Sequence, residues 1–214
     1  MRNDFGVIIL AGGKSSRMGL NKSFLKIGGE SLIERIVKSA SKVSKNIVIA
    51  IGKNDKTSDY TSILPRWVRI EKDSNENKAA IYGIVTGLEA IEAKYAVVLA
   101  VDLPFANAKV IEILKKSALE YDLAIPCWPN GNIEPLFAVY HVPSALKAFR
   151  GAINDNKIKL KDAIERLEKV NYVNVDKFRE IDTNLCCFIN INTPNDISSI
   201  KEIFNSVESS KLTN

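Results

Sequence analysis

Gly12, Gly13, Ser15, Ser16, Arg17 and Lys22 fall within one short span of the chain, and each is of a type that handles phosphate oxygens. Glycines without a Cβ let the backbone turn sharply and bring peptide N–H groups close to an anion. Ser15 and Ser16 add hydroxyl donors, Arg17 a planar fork and Lys22 a compact point charge. The combination predicts a cationic loop that holds a phosphorylated ligand. It is not a Walker A loop, because the Gly-x-x-x-x-Gly-Lys-Ser/Thr spacing is not met, and it contains no Gly-x-Gly-x-x-Gly.

The element that must carry this loop comes just before it. Val7-Ile8-Ile9-Leu10-Ala11 is an unbroken apolar run ending at Gly12, which reads as a buried strand of a parallel sheet feeding a loop rather than a hairpin. A second such run, Tyr95 to Val101, ends at Asp102-Leu103-Pro104-Phe105. Right-handed crossovers put the strand-to-helix loops along one edge of an open α/β sheet, the edge where ligands bind. Asp102 and the Gly12-Gly13 loop are therefore expected on one rim. A phosphate loop facing a strand-end carboxylate suits a nucleoside triphosphate held with one divalent metal. Mg²⁺ takes one or two carboxylates plus phosphate oxygens and water, so Asp102 is enough as its protein ligand.

The remaining signals alternate in the same way. Ser31-Leu32-Ile33-Glu34 has capping-box form and opens a helix whose apolar positions run on to Val43. Ile47 to Ile51 is a buried strand followed by a polar segment from Gly52 to Ser58, and Val68 to Glu71 is a third strand. A polar loop from Lys72 to Lys78 precedes a helix carrying Ile81, Ile84, Val85, Leu88 and Ile91, and Asn107 caps another. Beyond the strand Leu123 to Pro126 and the turn Trp128 to Asn132 the alternation weakens. Glu134 to Tyr140 reads as a strand entered through a proline, at an edge or antiparallel position. Pro143 opens a helix, Lys159 to Leu167 forms another, and Tyr172 to Val175 is a late strand. Cys186 and Cys187 precede a further apolar strand, Phe188 onward, which leads through Thr193 as cap and Pro194 into a last helix.

The composition fits one α/β domain over residues 1–206 with a frayed tail at 207–214. A net charge of +5 spread without a Lys/Arg block favours a small anionic ligand over nucleic acid. The three cysteines lie in no Cys-x-x-Cys spacing and read as reduced thiols. No apolar run reaches membrane-spanning length, so a cytoplasmic protein is expected. His141, the single histidine, reads as a surface residue at a strand end rather than a general base. Of Trp67 and Trp128, the latter is the better candidate to stack on a ligand.

Leu10-Ala11-Gly12-Gly13 with Ser15, Ser16, Arg17, Met18, Gly19 and Lys22 resembles the signature of the glycosyltransferase-A-like nucleotidyltransferases, and in detail the molybdenum cofactor guanylyltransferases of the MobA family. The likeness continues through Val101-Asp102-Leu103-Pro104-Phe105, Pro135-Leu136 with Ala138, and Phe188-Ile189-Asn190-Ile191-Asn192-Thr193-Pro194. It implies a Rossmann-like, three-layer α/β fold with a mostly parallel central sheet and a smaller antiparallel element in the C-terminal half. It further implies that Leu10, Ala11, Gly12, Gly13 and Lys22 hold GTP, with Ser15 beside them, and that Asp73 lies near the nucleotide. Asp102 would bind GTP and ligate Mg²⁺, while Asn190 and Asn192 would contact the pterin. Arg17, Lys22 and Asp102 are the implied catalytic residues. The chain departs from the family pattern at Asn21, where an Asp is usual, at Ala79-Ala80-Ile81 in place of Gly-Pro-Leu, and at Gly52-Lys53-Asn54 in place of Asn-Arg.

The implied reaction is attack by the terminal phosphate of molybdopterin on the α-phosphorus of GTP with release of pyrophosphate, a step that needs aligned and neutralised anions rather than a side-chain nucleophile. The implied partners are GTP, molybdopterin and other proteins of the cofactor pathway, with no nucleic acid and no membrane. Two other readings stay open from sequence. One is nucleotidyl transfer to a different phosphorylated acceptor or from a different base, as in cytidylyl transfer to molybdopterin or guanylyl transfer to cobinamide or lactyl phosphate. The other is a non-catalytic GTP-binding scaffold.

Overall fold

A computed structural model describes residues 4–12, 21–75, 79–193 and 196–204. The first apolar run forms β1 (Phe5–Leu10), with every residue after Phe5 buried. Two short strands, β2 (Lys26–Ile27) and β3 (Glu30–Ser31), make an antiparallel hairpin that turns on Gly28 and Gly29, both at positive φ. Ser31 then caps α1 (Leu32–Ala40). Its side chain accepts from the Glu34 amide while the Glu34 carboxylate accepts from the Ser31 amide, completing the predicted capping box. Leu32, Ile33, Ile36, Val37 and Ala40 form the buried stripe of α1.

Chain order continues with β4 (Ile47–Ile51), α2 (Thr57–Thr61), β5 (Arg69–Lys72), α3 (Ala80–Ala90), β6 (Tyr95–Ala100) and α4 (Ala108–Ser117), the last capped by the Asn107 side chain on the Lys109 amide. β7 (Leu123–Cys127), β8 (Phe137–His141), α5 (Val142–Asn154), α6 (Leu160–Ile164) and β9 (Val170–Asn174) complete the sheet region. Residues 196–204 form a closing helix, α7. No helix among the described residues is long and apolar enough to cross a membrane.

Seven strands form one sheet in the order β5-β4-β1-β6-β8-β7-β9. β1 pairs parallel with both β4 and β6, β4 with β5, and β7 with β9, whereas β8 runs antiparallel to β6 and β7. The sheet is thus mostly parallel with an antiparallel insertion in its C-terminal half. Alternate strand residues feed two apolar layers. Val7, Ile9, Ile33 and Ile111 belong to one and Ile8, Ile84, Val98 and Phe149 to the other, which makes three layers with the sheet in the middle. Gly87 is required for that closeness, because a Cβ there would lie 2.3 Å from Ile8 Cγ2.

Of the two positions expected for β8, edge or antiparallel, it takes the antiparallel one, in the sheet interior, because Pro135 precedes the paired residues and leaves their amides free to bond. Three details differ from the sequence reading. The helix expected from Lys159 to Leu167 is confined to Leu160–Ile164. The hairpin and α2 were not anticipated. The strand expected from Phe188 is instead a single 3-10 turn, Cys186–Phe188, followed by an extended segment. Leu185 takes a left-handed φ of 53°, and the Asp182 carboxylate accepts the Cys186 and Cys187 amides, so those donors are used locally rather than in a ladder.

Candidate active site

All the parallel strands point their C-terminal ends at one rim, and β8 begins there. A cavity of about 420 Å³ opens on this rim, within the size range of small-molecule sites. Leu10, Ala11 and Gly12 from the end of β1 line it, with Lys22, Asp73 and Asp102. Six residues named from sequence are therefore brought together. Gly13, Ser15, Ser16 and Arg17 lie outside the described residues.

Gly12 owes its identity to close approach. A Cβ built on it would lie 2.6 Å from the Gly52 amide nitrogen and 3.0 Å from the Ile51 carbonyl carbon, both of them backbone atoms that cannot swing aside. The Gly12 and Ala11 amides both donate to the Ala50 carbonyl, at 3.1 and 2.9 Å, which docks the end of β1 on β4. The Gly52 amide in turn donates to Asp55 Oδ2 at 2.9 Å.

Lys22 stands in a short 3-10 helix, Lys22–Phe24, that Asn21 caps. Its Nζ donates to Asp102 Oδ2 at 3.2 Å, to the Ile191 carbonyl at 2.5 Å and, longer, to Asn192 Oδ1 at 3.5 Å. The Ile191 amide donates to the Asp102 carbonyl at 3.0 Å, so the tail segment is bound to the strand-end loop by backbone as well as through the lysine. Asn192 is thereby brought beside Lys22, and neither it nor Asn190 is among the cavity-lining residues.

Asp73 sits at the end of β5, its amide on the Ile51 carbonyl at 2.8 Å and its Oδ1 accepting the Asn75 amide at 2.8 Å. Burial pushes the Asp73 carboxyl above its ordinary pKa, against the pull of the Asn75 hydrogen bond in the other direction. The floor between Asp73 and the β1 end is apolar and small, built from Leu10, Ala50, Ala79, Ala80 and Gly83.

Asn21 does not contribute the charge an aspartate would; its side chain is engaged in structure. Its Oδ1 accepts the Ser23 amide at 3.0 Å and its Nδ2 donates to Tyr60 Oη at 2.9 Å. His141 lies at the opposite end of the sheet, paired in register with Tyr95 at the start of β6, with Nδ1 2.9 Å from Ser144 Oγ. That separation from the rim leaves it no part in chemistry there. Trp128 spends its indole N–H on Glu134 Oε1 at 2.7 Å and sets its ring edge against Phe188, at 5.8 Å between centroids. Trp67 is an exposed residue under the Lys45 ammonium. The residues that sequence reasoning missed are the Ile191 carbonyl, Ser23 and Tyr60; a backbone acceptor and buried hydroxyls carry no motif.

Gly12, Lys22 and the strand-end Asp102 share the rim of a mostly parallel sheet with a lining of small apolar residues, and that sheet is of the nucleotidyltransferase class. Residues 7–170 match the MobA-like NTP transferase domain, and the chain belongs to that family. A probable molybdenum cofactor guanylyltransferase of Methanosarcina acetivorans is 31% identical, over 90% of this chain and 88% of that protein. One of Natranaerobius thermophilus with the same designation is 30% identical, over 97% of this chain and 100% of its own length. The crystal structure of molybdopterin-guanine dinucleotide biosynthesis protein A from Archaeoglobus fulgidus, 30% identical, superposes with a TM-score of 0.80, covering 94% of this chain and 99% of that one. The fold and family implied by the sequence motifs are thus borne out, and the chain is a nucleotidyltransferase.

Proposed function

We propose that this chain transfers GMP from GTP to the terminal phosphate of molybdopterin, in the cytoplasm, yielding the guanine dinucleotide and pyrophosphate. The observation that carries the reading is the junction at Lys22, whose ammonium joins Asp102 and the Ile191-Asn192 segment on the cavity that the β1 end also lines. A residue so placed lies between a nucleotide on the Gly12 side and an acceptor on the Asn192 side. The relatives named above carry the designation that specifies guanylyl transfer.

In this reading an oxygen of the acceptor phosphate attacks the α-phosphorus, the bond to the bridging oxygen of the β-phosphate breaks, and pyrophosphate leaves with that electron pair. A phosphate monoester is already ionised near neutral pH, so no side chain need act as nucleophile. The protein aligns two anions that repel each other and neutralises the charge that gathers on the leaving group. Lys22 takes that role with Arg17, while Gly12 and Gly13 bring backbone close to the phosphates. The flat floor of Leu10, Ala50, Ala79, Ala80 and Gly83 suits an aromatic base, with Asp73 at its border. Asn190 and Asn192 are assigned to the pterin.

Asp102 would hold Mg²⁺. Its carboxylate is a hard oxygen donor, and no group of three or more His, Cys, Asp or Glu gathers among the described residues, so most of the ion's ligands come from phosphate and water, as Mg²⁺ prefers. When bound, the ion supplies charge neutralisation at the α-phosphate.

Pyrophosphate release with molybdopterin and Mg²⁺, compared across GTP, CTP and ATP, tests the proposal. Release with GTP alone is expected. Release with CTP would move the base assignment at Ala79-Ala80, and no release with any of the three would refute the acceptor.

A further inference from the structure

The β1 end at Ala11-Gly12 and the turn from Asn21 to Phe24 form two stems, and a line of hydrogen bonds joins them. The amide of Asn21 is oriented by its neighbours: Oδ1 must face the Ser23 N–H at 3.0 Å, which leaves Nδ2 to donate to Tyr60 Oη at 2.9 Å. Having accepted there, the Tyr60 hydroxyl turns its own hydrogen toward Ser23 Oγ at 3.3 Å and the Ala11 carbonyl at 3.4 Å. Ser23 Oγ donates to the same Ala11 carbonyl at 3.2 Å. Every donor in the chain therefore runs one way, from Asn21 through Tyr60 and Ser23 to Ala11. Tyr60 and Ser23 are fully buried, where such bonds are sheltered from competing water.

The far side of the same peptide unit is held as well, since the Gly12 amide donates to the Ala50 carbonyl at 3.1 Å. The Ala11-Gly12 peptide is pinned at both its C=O and its N–H, and the pin on the C=O comes from the turn that carries Lys22. Tyr60 is also the single buried residue of α2, its ring set on Phe24 with centroids 4.9 Å apart. α2 thus delivers one hydroxyl to the place where the glycine stem and the lysine stem meet. Burial keeps that phenol protonated by pushing its pKa up.

We infer that Tyr60, with Asn21 and Ser23, is a positioning residue for nucleotide binding: it staples the Ala11-Gly12 stem to the Lys22 stem so that Gly12 and Lys22 are in place before the ligand arrives. This rests on the GTP reading above and assigns a role to Tyr60 and Ser23, which are buried outside the cavity lining. Holding a binding segment in its bound arrangement raises affinity by removing the ordering that binding would otherwise demand. The Lys22 ammonium keeps its own ties to Asp102 and the Ile191 carbonyl when the staple is cut, so the expected effect falls on nucleotide binding rather than on the acceptor side.

The test uses Tyr60→Phe, which keeps the ring on Phe24 and removes only the hydroxyl, together with Ser23→Ala and the double variant. Each single change should weaken GTP binding about fivefold to tenfold, the size of one net hydrogen bond, and raise KM for GTP by the same factor. kcat and KM for the acceptor should stay within twofold. The double variant should lose less than the product of the singles, because both groups serve one carbonyl. Hydrogen exchange of the Ser23, Phe24 and Leu25 amides should quicken in Tyr60→Phe while amides of β6 keep their protection. Unchanged GTP affinity, or unchanged exchange at these amides, overturns the staple. A kcat loss without a KM change overturns it equally. Binding of GTP to the wild type is measured first: if it fails, the GTP reading falls, while the exchange experiment still decides whether the stems are stapled.

Discussion

Lys22 Nζ and Asp102 Oδ2 meet at 3.2 Å although 80 residues separate them in the chain. Both side chains are mostly withdrawn from solvent, at 14% and 22% exposure, and both face the rim cavity. Each carries the same sign of charge as what the other is proposed to bind: the lysine suits phosphate, the carboxylate a cation. The pair keeps a cationic and an anionic group side by side where nucleotide and metal enter together.

Replacing either partner should therefore affect turnover more than folding. Lys22→Ala and Asp102→Asn should each lower kcat about a hundredfold or more, the range found for preorganised charge stabilisers. Because the two groups touch, the double variant should lose less than the product. Steady-state pyrophosphate release decides this, and near-normal turnover in either single variant would remove that residue from the machinery.

Two glycines on the same cavity should respond differently to one added methyl group. Gly12→Ala drives a Cβ to 2.6 Å from backbone and should abolish nucleotide binding. Gly83→Ala places its Cβ 3.5 Å from Leu10 Cδ2, an ordinary contact, and should bind GTP within a few-fold of wild type. Calorimetric titration of both variants makes the comparison.

Asp73 predicts a pH dependence with a definite sign. Its folded-state pKa is raised by burial, so the native state takes up this proton more readily than the unfolded chain does. The penalty on stability is fully present above the raised value and fades as pH falls toward that of an unfolded carboxylate. Asp73→Asn, whose Oδ1 can still accept the Asn75 amide, should melt higher than wild type at neutral pH, with the gap closing on acidification. Thermal melts at several pH values check the sign, and a gap that widens in acid would contradict it.

Chelation of divalent cations should stop turnover, and added Mg²⁺ should restore it. Lys22→Ala frees the Asp102 carboxylate of its ammonium neighbour, so this variant should bind Mg²⁺ more tightly in the absence of nucleotide. Metal titration followed by calorimetry reads this directly.

The strands that carry the site were legible because they are buried on both faces and so read as continuous apolar runs, Val7 to Ala11 and Tyr95 to Val101 above all. Helices were legible where a cap and an apolar stripe coincided, as at Ser31 and Asn107. What escaped was short or indirect. β2 and β3 have two residues each, and α2 has five with one of them buried, too few for a period to emerge. The Asn-Ile alternation around Asn190 imitates a strand, yet its backbone goes to Asp102 and Lys22 instead of a ladder. Gly12, Lys22 and Asp102 could be named from residue type and place, and Asp73 from the family resemblance. The staple at Tyr60 could not, since it depends on which helix packs against Ala11, Ser23 and Phe24.

The closing helix gives the site a position in time as well as in space. Phe204 of α7 covers Gly28 of the early hairpin, where a Cβ would lie 2.4 Å from its ring, and lies under the Arg35 guanidinium at 4.5 Å. The carbonyl of Ile191 that receives Lys22 is anchored in the same returning segment. During synthesis the N-terminal half emerges and can pair β1 with β4 and β6 long before residues 189–204 exist. A nascent chain that stops short of residue 189 therefore has the strands of this enzyme but lacks the partner that places its lysine, and competence arrives only once residues 189–204 have been made.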